Sequence, residues 1–193
     1  MMYKTELVLE SVLRAGVGML RQRDIATSTG VSIGTVNQAL VAPTAIGAVE
    51  TTSVGTQVTD RKKLLTYFAT HRRFASDTAA KLAVDLEPSR IEAAMIPEAL
   101  FTGPSGYKFA YESIPADYDT VYVYLDEAGI THLKQRFVEF VTTKRKANLF
   151  VVKRHPLLKE VSPYLLYGDL WSIPHWWAMD FVKALEVHLG IFT

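Results

Sequence analysis

Cysteine is absent from this chain of 193 residues, which excludes disulfide bonds, thiolate zinc sites and cysteine nucleophiles. The first six residues lack the apolar core of a signal peptide, and no run approaches the ~20 apolar residues of a membrane-spanning helix. Glycine motifs that bind phosphate or dinucleotides are missing, and the five histidines show no metal-ligand spacing. We therefore expect a cytoplasmic protein that contacts no membrane, holds no cofactor or metal and is not an enzyme.

Charge is nearly balanced over the whole chain but not within it. The net charge of +1 combines +4 in residues 1–75, where nine Lys and Arg face five Asp and Glu, with −3 in residues 76–193, where twelve face fifteen. A basic segment favours a nucleic acid as partner. Hydrophobic residues make up 49% of the chain, which is enough for one medium core or two small ones.

Residues 25–40 have the pattern of a helix-turn-helix. The pattern combines a small residue where two helices cross, a glycine after the first helix, an apolar residue in the turn, an N-cap serine and an apolar i, i+4 pair: Ala26, Gly30, Val31, Ser32, Val36 and Leu40. This pattern resembles the helix-turn-helix of bacterial and archaeal repressors. The alternative is a structural pair of helices that touches no DNA.

The second helix of this motif leaves Ile33, Gly34, Asn37 and Gln38 on its outer side, where a recognition helix meets base edges. The two amides can each bind adenine with two hydrogen bonds, the isoleucine can pack on a thymine methyl, and the glycine allows close backbone approach. No Lys or Arg lies on this helix, so we predict an A/T-rich site. The whole predicted DNA-binding set is Arg21, Arg23, Ser32, Ile33, Gly34, Thr35, Asn37, Gln38, Arg61, Lys62 and Lys63.

A winged helix-turn-helix domain is predicted over residues 1–75. Its helices are expected at 4–16, 21–29 and 32–41, with Pro43 ending the third. The β-branched residues and glycines of 47–58 predict two short strands with a turn near Gly55, which would form the wing, or else an irregular loop over 43–58. Thr59 or Asp60 then caps a helix that runs to Arg73.

Strands alternate with helices in residues 76–193, which predicts a small α/β domain with a few strands and C-terminal helices, within a chain that is α+β overall. Strands are expected at 120–125 and 148–152. Helices are expected at 89–96, where Ser89 and Glu92 would form a capping box, and at 107–111, 130–141, 161–171 and 174–189. Residues 76–88 are interpreted as an alanine-rich helical connector, and 100–106 as a turn.

Three segments of the second half are similar to the AbiEi-type antitoxins of abortive-infection toxin–antitoxin systems. They are residues 100–110, with an apolar-Thr-Gly step into a helix; the predicted strand pair with its helix; and residues 161–171, with Val-Ser-Pro followed by Tyr-x-Asp-Leu. The resemblance implies an N-terminal domain that represses its own operon and a C-terminal domain that opposes a nucleotidyltransferase toxin. Double-stranded DNA and a toxin protein are therefore the expected partners. The Trp-rich insert 171–177 departs from the family pattern.

A second interpretation is a regulator whose C-terminal domain binds a small ligand or nucleotide, as a degenerate nucleotidyltransferase. Gly103-Pro104-Ser105 precedes Asp117 and Asp119, and two carboxylates at this spacing can bind one metal ion. The next predicted strand supplies no third carboxylate, and Pro104 removes a phosphate-binding N–H. We therefore expect the aspartates in a solvated turn.

Two other clusters leave alternatives open. Trp171, Trp176 and Trp177 are expected either in the core or, in part, on a partner surface. The basic residues 144–146 and 153–154 are expected either in a solvated loop or in a second contact with nucleic acid or a partner. The sequence leaves the oligomeric state open.

Overall fold

The computed structural model describes residues 4–16 and 18–191, which form an α+β fold with two small sheets. The helices are α1 Lys4–Ala15, α2 Gln22–Thr29, α3 Ile33–Ala45, α4 Arg61–His71, α5 Phe74–Asp77, α6 Pro88–Ala93, α7 Gly103–Tyr111, α8 Glu127–Arg136, α9 Pro163–Ser172 and α10 Ala178–His188. The strands are β1 Val49–Thr51, β2 Thr56–Val58, β3 Thr78–Leu82, β4 Leu100–Thr102, β5 Val121–Leu125 and β6 Leu149–Lys153. A short 3-10 turn, Val138–Phe140, follows α8.

The turn between α2 and α3 has the local geometry that the sequence predicts. Gly30 ends α2 with φ 67°, a left-handed conformation that glycine adopts without strain. The Ser32 side chain caps α3 by accepting a hydrogen bond from the Thr35 amide at 3.1 Å. Val36 and Leu40 are buried in the core that α3 shares with α1 and α2. These local signals fix the angle at which α3 leaves α2.

Pro43 does not end α3, and that prediction was wrong. The helix continues to Ala45 with Pro43 buried inside its last turn. The chain turns only at Ile46 and Gly47, where the glycine has φ 68°. The Pro43 carbonyl accepts a hydrogen bond from the Ala48 amide at 2.9 Å, so the proline belongs to the C-terminal packing of the helix.

The predicted hairpin is present. β1 and β2 pair antiparallel, with Thr51 opposite Thr56, and residues 52–55 form the turn. Leu20 forms an antiparallel bridge with Thr56 of β2, since its N–H and C=O both bond to that residue at 2.8 Å. Asp60 then caps α4, because its carboxylate accepts a hydrogen bond from the Lys63 amide at 2.9 Å. The hairpin is thereby tied to both the α1–α2 connection and α4.

The second sheet has the strand order β3-β6-β5-β4, and β3 and β4 form its edges. The two predicted strands are present as β5 and β6 with α8 between them in sequence, and they pair parallel. β3 and β4 pair antiparallel to them. Every residue of β5 is buried, because helices cover both faces of the sheet.

Several predictions in the second half were wrong. The segment predicted as a helical connector contains β3. Its alanines form a strand because they pair with β6, a tertiary contact that outweighs their local preference. Leu100–Thr102 is a strand and not a turn, and α7 begins directly after it. The capping box of Ser89 and Glu92 does not form: Glu87 is the N-cap of α6, and Glu92 is buried. The helix predicted over 130–141 begins at Glu127 and ends at Arg136.

One apolar cluster includes residues from both halves of the chain. Phe68 of α4 packs against α9 so closely that a methyl group on Gly168 would lie 2.7 Å from its ring. Val8 of α1 and Phe181 of α10 belong to the same cluster. The division of the chain at residue 75 therefore stays a prediction about folding units, and the two halves share one core.

Arg72, at the C-terminal end of α4, joins the halves by charge. Its side chain is fully buried, and it donates to Asp77 at 2.7 Å, to Asp169 at 2.8 Å and to the Tyr124 hydroxyl at 2.9 Å. Glu6 of α1 lies 3.4 Å away. We call Glu6, Arg72, Asp77, Tyr124 and Asp169 the Arg72 network.

Within the Arg72 network, burial and neighbouring groups shift the pKa values of the charged side chains in opposite directions. Burial would lower the pKa of Arg72, but Tyr124, Asp169 and Glu6 together raise that pKa above its ordinary value. Burial raises the pKa of Asp169, although Arg72 and two hydroxyl donors act against the shift. One of these donors is Thr102, at 2.7 Å from the carboxylate. Each charge is therefore stable only while its partners remain in place.

Replacing Arg72 by alanine leaves three carboxylates without their shared cation. We expect Arg72→Ala to lower the free energy of unfolding by about 3–5 kcal/mol, since removing one partner from a buried ion pair leaves an uncompensated charge. Urea denaturation followed by circular dichroism measures this loss. The matched control is Lys153→Ala, which removes an exposed ion pair with Glu127 and is expected to have little effect. Equal losses for the two variants would contradict a stabilising role of the network.

Candidate nucleic-acid interface

The outer side of α3 forms a continuous exposed ridge. Ile33 has 44% of its surface exposed, and Gly34, Asn37 and Gln38 are exposed beside it. The opposite side of the helix is buried, with Val36, Ala39, Leu40 and Pro43 in the core. The four predicted base-contacting residues therefore share one face. We call Ile33, Gly34, Asn37, Gln38 and Val41 the α3 ridge.

Val41 is a residue of this face that sequence reasoning missed. It lies one turn after Asn37 and has 59% of its surface exposed. Its exposure could have been predicted from the i, i+4 spacing of Ile33, Asn37 and Val41. The ridge is uncharged, and no Asp, Glu, Lys or Arg occurs anywhere in residues 25–49. Contacts made by this ridge are therefore limited to amide hydrogen bonds and apolar packing.

Ser32 and Thr35 lie at the amino-terminal end of the ridge and bond to each other. Their hydroxyl oxygens are 2.9 Å apart, in addition to the capping bond. Ser32 is exposed and Thr35 is half-buried. Both hydroxyls thus hold the first turn of α3 in shape, and the exposed serine lies where a backbone phosphate could approach a helix amino terminus.

The amino-terminal end of α2 lies beside the hairpin turn. Arg21 is the N-cap residue of α2, and both Arg21 and Arg23 are exposed. A shallow cavity of about 390 Å³ is lined by Arg21 and Gln22 on one side and residues 52–55 on the other. Arg21 is therefore close to the tip of the hairpin, where a nucleic-acid backbone could contact both.

Gly55 allows the hairpin to approach the α1–α2 connection. A methyl group at this position would lie 2.6 Å from the Leu20 carbonyl oxygen and 2.8 Å from the Met19 side chain. The turn itself is held by Thr52, whose amide bonds to the Gly55 carbonyl at 2.8 Å. Glycine is therefore required for close contact at Leu20, since its φ is not in the left-handed region.

The first turn of α4 carries the other three predicted phosphate contacts. Lys63 is exposed and lies 3.7 Å from Asp60, which reduces its net effect. Arg61 is half-buried and extends to Gly16 at the end of α1. Lys62 is also half-buried. Arg61 thus reaches the end of α1, and all three residues lie in the first turn of α4, outside the α3 ridge.

The segments weighed as a nucleotide site are not brought together as one. Asp117 and Asp119 are exposed in the loop before β5, as predicted. Gly103 and Ser105 are buried at the start of α7, and the Ser105 hydroxyl donates to Glu92 at 2.7 Å. The buried carboxylate of Glu92 also accepts from Lys108 at 2.6 Å. Ser105 is therefore committed to an internal bond.

The three tryptophans have different environments. Trp177 is buried against Phe181, Trp171 is half-buried and stacks on Tyr167, and Trp176 has 79% of its surface exposed. One tryptophan is therefore exposed, while the other two take part in packing. The exposed residue, Trp176, belongs to the second half of the chain and is distant in sequence from the α3 ridge.

The two basic segments also differ. Lys153 pairs with Glu127 at 2.7 Å, and Arg154 pairs with Asp126 at 2.8 Å, so both are structural. A hydrogen bond from the Gly129 amide lowers the pKa of Asp126, and the Arg154 side chain lowers it further by a smaller amount. Residues 144–146 have no ion pair with any residue in the described part of the chain.

Within residues 4–16 and 18–191, no group of three or more His, Asp or Glu is arranged to hold a metal ion. No helix in the same range is long and apolar enough to cross a membrane. Comparison of the chain with protein-family models, curated proteins and solved structures finds no match. The resemblance to the AbiEi-type antitoxins therefore remains a prediction.

The contact between Gly55 and Leu20 gives a test of the hairpin. We expect Gly55→Ala to lower the free energy of unfolding by about 1–3 kcal/mol, because the added methyl group overlaps backbone atoms that cannot move aside without breaking the Leu20–Thr56 pair. Urea denaturation gives the free energy, and hydrogen exchange of the Thr56 amide reports the pair itself. Gly18→Ala is the control, since its methyl group would lie 3.9 Å from the Ala15 carbonyl oxygen, an ordinary contact distance. An unchanged exchange rate at Thr56 would show that the contact is not tight.

Proposed function

We propose that this protein is a sequence-specific DNA-binding repressor. In this proposal residues 1–75 act as a winged helix-turn-helix, with β1 and β2 as the wing and α3 as the recognition helix. The protein would act in the cytoplasm on the operator of its own operon, and residues 76–193 would neutralise a nucleotidyltransferase toxin. The role requires no catalytic group and no cofactor.

The α3 ridge is the observation that carries this proposal. The outer face of this helix exposes two neighbouring amides and three apolar or small residues, a set suited to base edges and methyl groups. Asn37 and Gln38 can each present a donor and an acceptor to adenine in the major groove. Ile33 and Val41 lie on the same face and can contact thymine methyl groups. These contacts together favour an A/T-rich operator.

Backbone contacts must come from outside α3, because the ridge carries no charge. Arg21 is exposed next to the hairpin turn and Arg23 is exposed in α2. Arg61, Lys62 and Lys63 begin α4, where Arg61 reaches Gly16. Phosphate contacts of this kind position a protein on the duplex without selecting sequence. They also make binding depend steeply on salt concentration, since each contact releases counterions.

The role of the second half rests on its resemblance to the antitoxins and on its surface. Tyr167, Gly168 and Asp169, from the segment with the most specific resemblance, connect the second half to the first through the shared core and the Arg72 network. The exposed apolar residues Phe109 and Trp176 remain available to a protein partner. Both features support a partner-binding unit fixed to a DNA-binding unit.

Replacing both amides of the α3 ridge tests the proposal. We expect the double variant Asn37→Ala, Gln38→Ala to lose its preference for DNA from the region upstream of its gene over random duplex DNA. The reason is that each bidentate contact supplies about 1–3 kcal/mol of discrimination between bases. Weak, salt-sensitive binding should remain. Fluorescence anisotropy with the two duplexes at several salt concentrations measures both quantities.

The control for this experiment is Gln135→Ala, which removes an exposed amide from α8 in the second half. Its preference for upstream DNA should equal that of the unmodified protein. A double variant that keeps its sequence preference would reject α3 as the recognition helix. Absence of binding by the unmodified protein to any upstream fragment at low salt would reject the repressor role altogether.

A further inference from the structure

The outer edge of β3 borders an apolar groove. β3 pairs with β6 on one side only, so its other side is an edge of the sheet. The groove along this edge has a volume of about 590 Å³ and is lined by Ala79, Ala80, Lys81, Leu82, Lys134, Val138 and Val141. Val138 and Val141 expose 65% and 52% of their surface. We call this feature the β3 groove.

The backbone of β3 offers hydrogen bonds on the groove side. Just beyond the strand, the Ala83 carbonyl accepts from the Thr142 amide at 2.9 Å, so this carbonyl faces away from β6. Backbone directions alternate along a strand, and the N–H and C=O of Lys81 therefore face the same outer side. The 140–142 segment occupies the edge only beside residues 83–85, where it forms these bonds. An extended chain could continue that pairing beside Lys81.

The two charged side chains that line the β3 groove are both basic. Lys81 and Lys134 line it, and none of the described lining residues is acidic. Neither lysine has an ion pair with a described residue, although Lys81 lies 5.9 Å from the Phe150 ring centre. Residues 144–146, which are also basic and unpaired within the described chain, follow directly on the segment that ends the groove. These cations favour a partner segment that carries negative charge.

We propose that the β3 groove binds an extended segment of a partner protein in which apolar and acidic residues alternate, by addition of a strand to β3. The apolar side chains of such a strand would cover Val138 and Val141, on the α8 side of the sheet. Its acidic side chains would point to the other side, where Lys81 lies over Phe150. The inference deepens the partner-binding part of the proposed function and rests on it.

A second copy of this chain is a poorer occupant. Pairing of two β3 edges would bring like charges from the two Lys81 and Lys134 pairs together, and like charges opposite one another destabilise a sheet. A nucleic acid would satisfy the lysines but would leave the outward N–H and C=O of β3 and the two exposed valines without complementary groups. The combination of an open strand edge, an apolar floor and basic borders favours an acidic protein strand.

The proposal is tested with the full chain and two synthetic peptides, one of alternating valine and glutamate and one of alternating valine and lysine. The glutamate peptide should shift the amide resonances of residues 79–83 and slow hydrogen exchange at the Lys81 amide. Lys81→Glu should weaken that peptide by about tenfold or more and should favour the lysine peptide instead. Lys183→Glu, an exposed lysine of α10, is the control and should change neither affinity.

Several results would contradict the proposal that the β3 groove binds a peptide strand. Shifts confined to other surfaces, or a charge reversal that leaves both affinities unchanged, would show that β3 is not the site. Perturbation of the same amides by a single-stranded oligonucleotide and not by the glutamate peptide would assign the surface to nucleic acid. If no peptide binds and the charge-reversed chain still protects cells from a toxin encoded beside its gene, the proposal for the β3 groove is wrong. The proposed function would then still stand.

Discussion

The buried guanidinium of Arg72 is the constraint on which the arrangement of the molecule depends. It lies at the end of α4 and contacts carboxylates from α1, α5 and α9 and a hydroxyl from β5. Removing these charges from water costs several kcal/mol per ion, and only the complete set of partners offsets that cost. Partial assembly would leave a buried charge unpaired. The network therefore favours one relative position of the two halves over nearby alternatives.

This rigid junction matters for the proposed repressor. α4 follows the hairpin directly and packs against α9, so the first half is held by the second through both apolar contact and charge. A partner bound to the second half can change DNA affinity only if it binds two states of this junction with different strength. The close contact of Phe68 with Gly168 leaves little space for small adjustments. Regulation through this route would require a discrete shift of α9 against α4.

The sequence predicts those parts of the structure that depend on neighbouring residues. Gly30 and Ser32 shape the chain through bonds to residues within one helical turn, and the hairpin and the strands β5 and β6 follow from local composition. Pro43 was wrongly predicted to end α3, because the helix continues for two residues beyond it with the proline buried. β3 was missed because two alanines and a lysine favour helix locally, while pairing with β6 makes them a strand.

The Arg72 network could not be predicted, because its members are far apart in the chain. Arg72 and Asp169 are separated by 97 positions, and Glu6 by 66. One signal was present in the sequence: Asp169 is the only charged residue in the otherwise apolar or neutral run 161–171, and a lone carboxylate there requires a buried partner. The identity of that partner depends on the tertiary fold. The exposed set of the α3 ridge, by contrast, follows from helical spacing alone.

The most direct test of the account is to map the DNA contact surface on the intact protein. Amide chemical shifts of the isotope-labelled chain would be recorded while a duplex from the region upstream of its gene is added. The account predicts that the largest changes fall on Ile33, Gly34, Asn37 and Gln38, with smaller changes at residues 52–55 of the hairpin turn. Changes confined to the second half, with α3 unaffected, would contradict it.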